Sequence, residues 1–487
     1  MTHLNGKLIL KILGVILIIL GVSMVPSFIT SIVYAEHDVV LAFLVCMIPL
    51  IVAGIYIIRK TKTSKTFLKL REGYLIVTLC WLCASLLGSV PYLISGITSS
   101  FIDAFFESVA GFTTTGCTTI DISLFPKGLI MWKAVSHLLG GMGILVFAIS
   151  ILPALGIGGQ QIVKAESPGP TLNKAASRIS DSSKILYLTY ISFGFAEFIL
   201  LALSPMHTFD AIIHTFGSIS TSGLSYHAEG LAYYNSFYIE AIICLFTILS
   251  SINFVLYANI IRGRWRELTG NVEVRAFLLL ILVASILVSL DLFFRGNYDS
   301  FLTAFRNGGF QVIALFTTSG YAIDDFAAWS SFCKTILFTI FFIGGCAAST
   351  CGSIKVVRIL VLIKLIIRGF LKRIHPNSVV AVKLGGKTVS SETVSSITSF
   401  ILMYLSVFLI SSLILSLQNL DFFTTLSIAA SMLSNTGCHL GIMGAESNYS
   451  MFAPLLRLFL SLLMIVGRLE IFTIIILLSP RFWNPDR

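Results

Sequence analysis

Four short hydroxyl-rich segments, each ending in glycine, carry residue types and a spacing that suit ion chemistry. They recur about every hundred residues, with an apolar stretch before and after each one. Backbone carbonyls in such loops replace the water around a cation, and glycine permits backbone angles that a side chain would forbid. The pattern predicts four re-entrant loops around one axis, whose candidate ligands are Thr113, Thr114, Thr115, Gly116, Ser220, Thr221, Ser222, Gly223, Thr317, Thr318, Ser319, Gly320, Ser434, Asn435, Thr436 and Gly437.

None of these four segments contains a carboxylate. Rings of acidic side chains suit divalent ions or weaker discrimination among cations, whereas carbonyl-lined loops suit K⁺. The alternative interpretation is structural, because Ser and Thr bond back to their own helix and Gly lets membrane helices pack closely. Recurrence of the motif in four equivalent places favours a K⁺ filter.

The composition excludes a soluble protein. Of 487 residues, 56% are hydrophobic and 11% are charged, and the mean hydropathy is +0.93. Apolar stretches of about 18 residues or more recur along the chain, which is typical of transmembrane helices. The net charge of +10 does not indicate nucleic acid, because the basic residues concentrate in short loops. The positive-inside rule places those loops, and with them both termini, in the cytoplasm.

These observations predict an all-α membrane protein with about ten transmembrane helices. An N-terminal two-helix hairpin, with helices at 8–35 and 39–58, precedes four helix–pore-loop–helix repeats around one pore. Each repeat contains a short segment that dips into the membrane and returns, at 102–112, 208–219, 301–316 and 421–433. The predicted units are the hairpin (1–70), repeat one (71–155), a cytoplasmic linker (156–182), repeat two (183–262), repeat three (263–372) and repeat four (373–487).

The helices that follow the dips are predicted at 129–152, 236–261, 333–368 and 452–479, and only the third is expected to be interrupted. Irregular backbone at membrane depth is tolerated where protein buries it or where it lines a watery cavity. The interruption therefore predicts a gate, and close helix packing through small residues is the alternative. The candidate gate residues are Gly344, Gly345, Ser349, Thr350 and Gly352.

One charge, Arg468, is expected in the middle of the last long helix. Inserting such a charge costs about 2.5–3.5 kcal/mol, which makes it a functional hypothesis by default. Facing the pore, the guanidinium would be a barrier to cations; alternatively it forms a structural ion pair with Glu470 or Glu107. Two acids, Asp103 and Asp210, each stand thirteen residues before a loop glycine and are expected to cap the short helices.

The motifs together resemble a known family. The four glycine-ended loops, residues 344–358, the run GRLEIFT at 467–473 and the run HLLGGMG at 137–143 are similar to the Trk/Ktr/HKT superfamily of cation transporters. Within it, the extra hairpin is similar to the membrane subunits of bacterial Trk-type potassium uptake. The resemblance implies a gate in the repeat-three segment and a pore constriction at Arg468. All four filter glycines favour K⁺, since Na⁺-selective plant relatives replace the first by serine.

The resemblance also implies a homodimer in the bacterial inner membrane and a cytosolic TrkA-like regulatory subunit. NAD, ATP and ADP are expected to act only through that partner, because no GxGxxG follows a strand in this chain. No cofactor is therefore expected here, and K⁺ is the bound and transported ion. A Na⁺-permissive or ion-coupled transporter of the Ktr type is the alternative, against which the hairpin argues, and passive flux and proton symport both stay open. An enzyme is not expected, because neither HExxH nor clustered carboxylates occur.

Overall fold

The computed structural model describes residues 4–61, 70–143, 179–227, 229–441 and 448–483. Of the linker predicted at 156–182, residues 156–178 lie outside the described residues. Its last residues, from Ile179 onward, already belong to a helix. The end of the helix expected at 129–152 lies outside them as well.

The N-terminal hairpin consists of Gly6–Ser23 and Val25–Val33, followed by His37–Lys60. The single helix predicted at 8–35 is therefore divided at Met24, where Pro26 occupies the first turn of the second piece. Proline suits that position because its missing N–H would be unpaired there in any case.

The hairpin packs against repeat one through its tip. The two carboxylate oxygens of Glu36 accept the N–H groups of Lys127, at 2.6 Å, and Gly128, at 2.9 Å. These are the first two residues of the helix Lys127–Gly141, whose N-cap is a proline without a side-chain hydrogen bond. Glu36 therefore supplies the cap and places negative charge at the positive end of the helix dipole.

Four repeats follow, each with a long first helix, a short helix, a glycine-ended loop and a second helix. In the described ranges, six helices are long and apolar enough to cross a membrane: the two of the hairpin and the first helix of each repeat. The first helices are Leu70–Gly88 with Val90–Ile94, Ile179–Ala202, Val272–Phe294 and Ser391–Ser416.

The short helices confirm the predicted dips to within a residue. They are Phe101–Phe112, Thr208–Ile219, Phe301–Phe316 and Phe422–Ser434. In the first of them every residue from 104 to 112 is buried, so the core of the protein surrounds these helices. A short helix that is buried on all sides is typical of the interior of a larger bundle.

The predicted caps of two short helices were wrong in detail. Asp103 lies in the first turn, and the cap is Ser100, whose hydroxyl accepts the Asp103 N–H at 3.3 Å. Asp210 also lies in the first turn, after His207, which makes no side-chain capping bond. Both carboxylates still lie at the positive end of the helix dipole.

The second helices differ most from the prediction, because the structure breaks those of repeats two and four as well as that of repeat three. The bend is 90° in repeat two and 113° in repeat four. The pieces are Lys127–Gly141 in repeat one, Phe237–Ser251 and Phe254–Ile261 in repeat two, Ser331–Ile340 and Val356–Ile374 in repeat three, and Pro454–Arg468 and Phe472–Leu478 in repeat four.

Minor elements complete the described chain. A two-stranded antiparallel hairpin, Lys383–Leu384 with Lys387–Thr388, joins repeats three and four. The remaining short helices are Ile122–Leu124, Gly230–Tyr234, Arg266–Thr269, Phe326–Ala328 and Pro480–Trp483.

Candidate functional site

The four glycine loops (residues 113–116, 220–223, 317–320 and 434–437) form a closed ring. A Cβ atom placed on Gly116 would overlap the carbonyl oxygen of Ser222, the residue before the glycine of repeat two. The same relation joins Gly223 to Ser319, Gly320 to Thr436, and Gly437 back to Thr115. Four loops that touch in chain order and close on the first surround a single axis. Glycine is required at each contact because the neighbouring backbone occupies the space of a side chain.

All four loops share one backbone conformation. The second residue has a φ of 56° in Thr114, 54° in Thr221, 53° in Thr318 and 58° in Asn435. The four glycines follow with φ between 68° and 84°. Positive φ is costly for a β-branched residue and persists only where the surrounding structure imposes it. Such strain at three threonines, with Asn435 in the same conformation in the fourth loop, indicates a functional constraint on these loops.

The carbonyl oxygens that form the ring have no hydrogen-bond donor among the described residues. They belong to Thr115, Ser222, Ser319 and Thr436, each at most 1% exposed. Their own N–H groups fold back to the short helices, for example from Ser222 to the Gly217 carbonyl at 2.8 Å. Buried carbonyls are nearly always paired. Four unpaired ones around an axis suit a dehydrated cation, with the negative ends of four helix dipoles behind them.

The hydroxyl groups brace the loops from behind. In each loop the first and third side chains pair, with oxygens 2.8 Å apart for Thr113 and Thr115 and 2.7 Å apart for Ser434 and Thr436. The corresponding distances in repeats two and three are 3.1 Å and 3.2 Å. These contacts explain why hydroxyl residues occupy the first and third positions of every loop.

A buried ion pair holds the segment that follows the first loop. Lys133 Nζ lies 2.6 Å from Glu107 Oε2, with both side chains fully buried, and it also donates to the Cys117 carbonyl at 3.0 Å. The other oxygen of Glu107 accepts the Thr119 N–H at 2.6 Å. An ion pair in a low-dielectric site is stable only when its remaining hydrogen-bonding capacity is satisfied, as it is here.

The repeat-three loop (residues 341–355) interrupts the second helix and lies against the ring. Thr350 Oγ1 accepts from Thr221 Oγ1 at 3.3 Å, and the Gly352 N–H donates to Thr318 Oγ1 at 3.0 Å. A Cβ atom on Gly352 would overlap the Ser434 carbonyl oxygen. The loop therefore contacts the glycine loops of three repeats.

The predicted gate residues occupy two parts of this loop. Gly344 and Gly345 form its neck, where the Gly344 N–H donates to the Ile354 carbonyl at 2.9 Å and the Gly345 carbonyl accepts from Val356 at 3.2 Å. Ser349 bonds internally to the Cys346 carbonyl at 2.6 Å, whereas Thr350 and Gly352 face the ring. The broken helix of repeat two supplies further acceptors, including the Ser250 carbonyl, 3.1 Å from Thr350 Oγ1.

Arg468 is the last residue of its helix piece, not a mid-helix residue as predicted. Its guanidinium donates to the carbonyls of Thr350 at 2.7 Å and Gly141 at 2.8 Å, and also to that of Gly140. The residue thus connects repeats four, three and one on the loop side of the ring. The two acids considered as its partners pair elsewhere, Glu107 with Lys133 and Glu470 with Arg358. The ion pairs expected with Glu107 and Glu470 are thus wrong, and the barrier role of Arg468 stays a prediction.

For several buried charged residues of this site, the sequence patterns predict no role. Lys133, Glu273 and Arg358 are almost fully buried, and of these only Arg358 belongs to a motif of the sequence, as the last residue of the segment 344–358. A charge within or beside an apolar stretch is the signal that would have found them, because such charges are expensive and need partners.

Comparison with known proteins places this geometry in a family. Residues 39–484 match the TrkH family, described as a cation transport protein. The chain belongs to this family. The Trk system potassium uptake protein TrkH of Salmonella typhimurium is 34% identical over 99% of this chain and 100% of its own length. TrkG of Escherichia coli, also named as a Trk system potassium uptake protein, is 33% identical over 98% of this chain and 99% of its own.

The fold agrees with a solved member of the TrkH family. The crystal structure of the potassium transporter TrkH from Vibrio parahaemolyticus superimposes with a TM-score of 0.88, at 32% identity, over 99% of this chain and 100% of that chain. The all-α membrane fold, the transporter class and the absence of an enzyme activity in this family follow from these matches. The chain is a multi-pass membrane protein.

Proposed function

We propose that this chain is the potassium-translocating subunit of a Trk-type uptake system, with repeats at the boundaries predicted from the sequence. The observation that carries the proposal is the ring of buried carbonyl oxygens of Thr115, Ser222, Ser319 and Thr436, which lack donors among the described residues. Carbonyl oxygens replace the hydration shell of K⁺ at little cost when the loops that hold them are already braced. The names of the relatives support potassium as the ion.

In this proposal the repeat-three loop and Arg468 close the path beside the ring. The loop contacts three of the four glycine loops, and the guanidinium of Arg468 is held by carbonyls of repeats one and three. A fixed positive charge in a cation path raises the barrier to conduction. Opening requires the loop to leave the ring.

Regulation and assembly extend the proposal. A homodimer in the bacterial inner membrane, both termini in the cytoplasm and a TrkA-like cytosolic subunit that binds NAD, ATP or ADP accord with the family resemblance. The relatives are named as parts of a Trk system, which supports a complex of several components. In this proposal K⁺ is the ion that the chain binds and transports.

The test is ⁸⁶Rb⁺ influx into liposomes that contain the purified protein, competed by external K⁺ or Na⁺. Block by K⁺ and not by Na⁺ is the expected result. Equal competition by the two ions supports the Na⁺-permissive alternative. If the protein alone shows no influx, the measurement is repeated with the cytosolic subunit and nucleotide, and absence of influx there contradicts the proposal.

A further inference from the structure

A single carboxylate outside the ring bonds to both sides of the repeat-three loop. Glu273 Oε1 accepts the N–H of Ala347 at 2.7 Å, within the loop, and the N–H of Val357 at 3.1 Å, just after it. Glu273 is the second residue of a different helix, Val272–Phe294, and is 6% exposed. Its position is fixed by Asn271, whose side chain accepts the Glu273 N–H at 2.9 Å.

The contact with Val357 replaces a missing helix cap. The helix Val356–Ile374 begins after Lys355, which makes no side-chain capping bond. Helix starts need an acceptor for their first N–H groups, and a negative charge there is favoured by the dipole. Glu273 provides both from another element, so the start of the helix that follows the loop depends on it.

We propose that Glu273 is a positioning residue that holds the repeat-three loop in its closed conformation. The proposal rests on the proposed role of that loop as the gate. When the loop leaves the ring, both hydrogen bonds to the carboxylate break, and a buried charge without donors is strongly disfavoured. The closed loop is thus the conformation in which this carboxylate is satisfied.

An ion pair beside these two hydrogen bonds makes the same movement cooperative. Arg358, the residue after Val357, pairs with Glu470, two residues after Arg468. Displacement of the start of the helix Val356–Ile374 therefore disturbs both its bond to Glu273 and its ion pair with the bend after Arg468. Loop and arginine barrier are expected to open as one unit.

The experiment compares partner-free ⁸⁶Rb⁺ influx in Glu273→Ala, Glu273→Gln and Glu392→Ala. Glu392 is the matched control, since it is the exposed second residue of the first helix in repeat four. Losing two bonds to a charged acceptor predicts that Glu273→Ala raises influx by at least about tenfold. Glu273→Gln keeps an acceptor oxygen but loses the charge, so its influx is expected to lie between that of the parent protein and that of Glu273→Ala. K⁺ preference over Na⁺ stays unchanged, a result that general loss of structure does not produce.

A measurement independent of flux uses the cysteines of the loop. Cys346 and Cys351 are 0% and 3% exposed, so maleimide labelling at these residues, resolved by peptide mass spectrometry, reports release of the loop. If labelling and influx both rise in Glu273→Ala, the result supports the latch, that is, the role of Glu273 in holding the loop closed. Labelling that rises without influx supports the latch and overturns the gate assignment of the proposed function. If labelling of Glu273→Ala equals that of the parent while Arg468→Ala raises influx, the latch is overturned. The assignment of the repeat-three loop as the gate is then retained.

Discussion

The guanidinium of Arg468 and the carbonyl of Thr350, separated by 118 positions in the sequence, are joined by a hydrogen bond of 2.7 Å. Because Thr350 also contacts Thr221 of the ring, at 3.3 Å, this bond links the arginine to the glycine loops through the repeat-three loop. Arg468, proposed as the cation barrier, and the repeat-three loop are therefore connected to the ring through the same residue, Thr350.

Arg468→Ala is expected to raise ⁸⁶Rb⁺ influx by about tenfold, equal to ~1.4 kcal/mol of barrier. The change removes a positive charge from the proposed path and frees the Thr350 and Gly141 carbonyls. Arg468→Lys is the control, since it keeps the charge and is expected to keep influx low. Unchanged or lower influx from folded Arg468→Ala would assign the arginine a purely structural role.

Gly116→Ser and Gly320→Ser are expected to weaken the preference for K⁺ over Na⁺. Any Cβ at these positions overlaps a carbonyl of the neighbouring loop, that of Ser222 or Thr436, and displaces a proposed cation ligand. The measurement is the concentration of Na⁺ that competes with ⁸⁶Rb⁺ influx.

Gly96→Ser separates the effect of lost space from that of backbone strain. Gly96 has a φ of 76°, against 75° for Gly116, but no atom lies within 4 Å of a Cβ placed on it. Selectivity is expected to remain intact in this control. If selectivity survives in both Gly116→Ser and Gly320→Ser, the assignment of the ring as the filter is wrong.

Lys133→Met is expected to destabilise the protein by about 3–5 kcal/mol, because Glu107 then keeps a buried charge without its cation. The measurement is the midpoint of thermal unfolding in detergent. Arg295→Met breaks the ion pair with Asp291, in which the Arg295 side chain is 57% exposed. This change is expected to lower the free energy of unfolding by less than about 1 kcal/mol. Equal shifts of the unfolding midpoint in the two variants would show that burial does not increase the contribution of the Lys133–Glu107 pair to stability.

Glu36→Ala is expected to cost about 1–2 kcal/mol through loss of the cap on Lys127–Gly141. Selectivity is expected to stay unchanged, because the capped end lies away from the ring. Asp38→Ala, at an exposed acid of the same hairpin tip, is expected to stay within about 0.5 kcal/mol of the parent. A selectivity change in Glu36→Ala would mean that the hairpin acts on the ring.

The sequence by itself determined the repeating architecture. The short helices at Thr208–Ile219 and Phe301–Phe316 coincide with the predicted dips, because their lengths follow from polar residues at one end and the hydroxyl–glycine motif at the other. Whether a segment is long enough to span a membrane depends only on consecutive residues, so the local sequence pattern predicts it directly. The resemblance of the motifs to a transporter family was readable for the same reason.

The tertiary structure alone decided the closure of the site. The helix break near Asn253 and the bend after Arg468 lie in segments that the sequence predicts as continuous helices, at 236–261 and 452–479. In repeat two the repeat-three loop, about a hundred residues away in the chain, supplies donors to the freed carbonyls, as Cys346 does to Ser251 at 2.8 Å. At the bend in repeat four, Arg468 itself donates to the Thr350 carbonyl of that loop. Buried pairs such as Glu107 with Lys133, and the latch at Glu273, likewise depend on which helices become neighbours, and no local pattern carries that information.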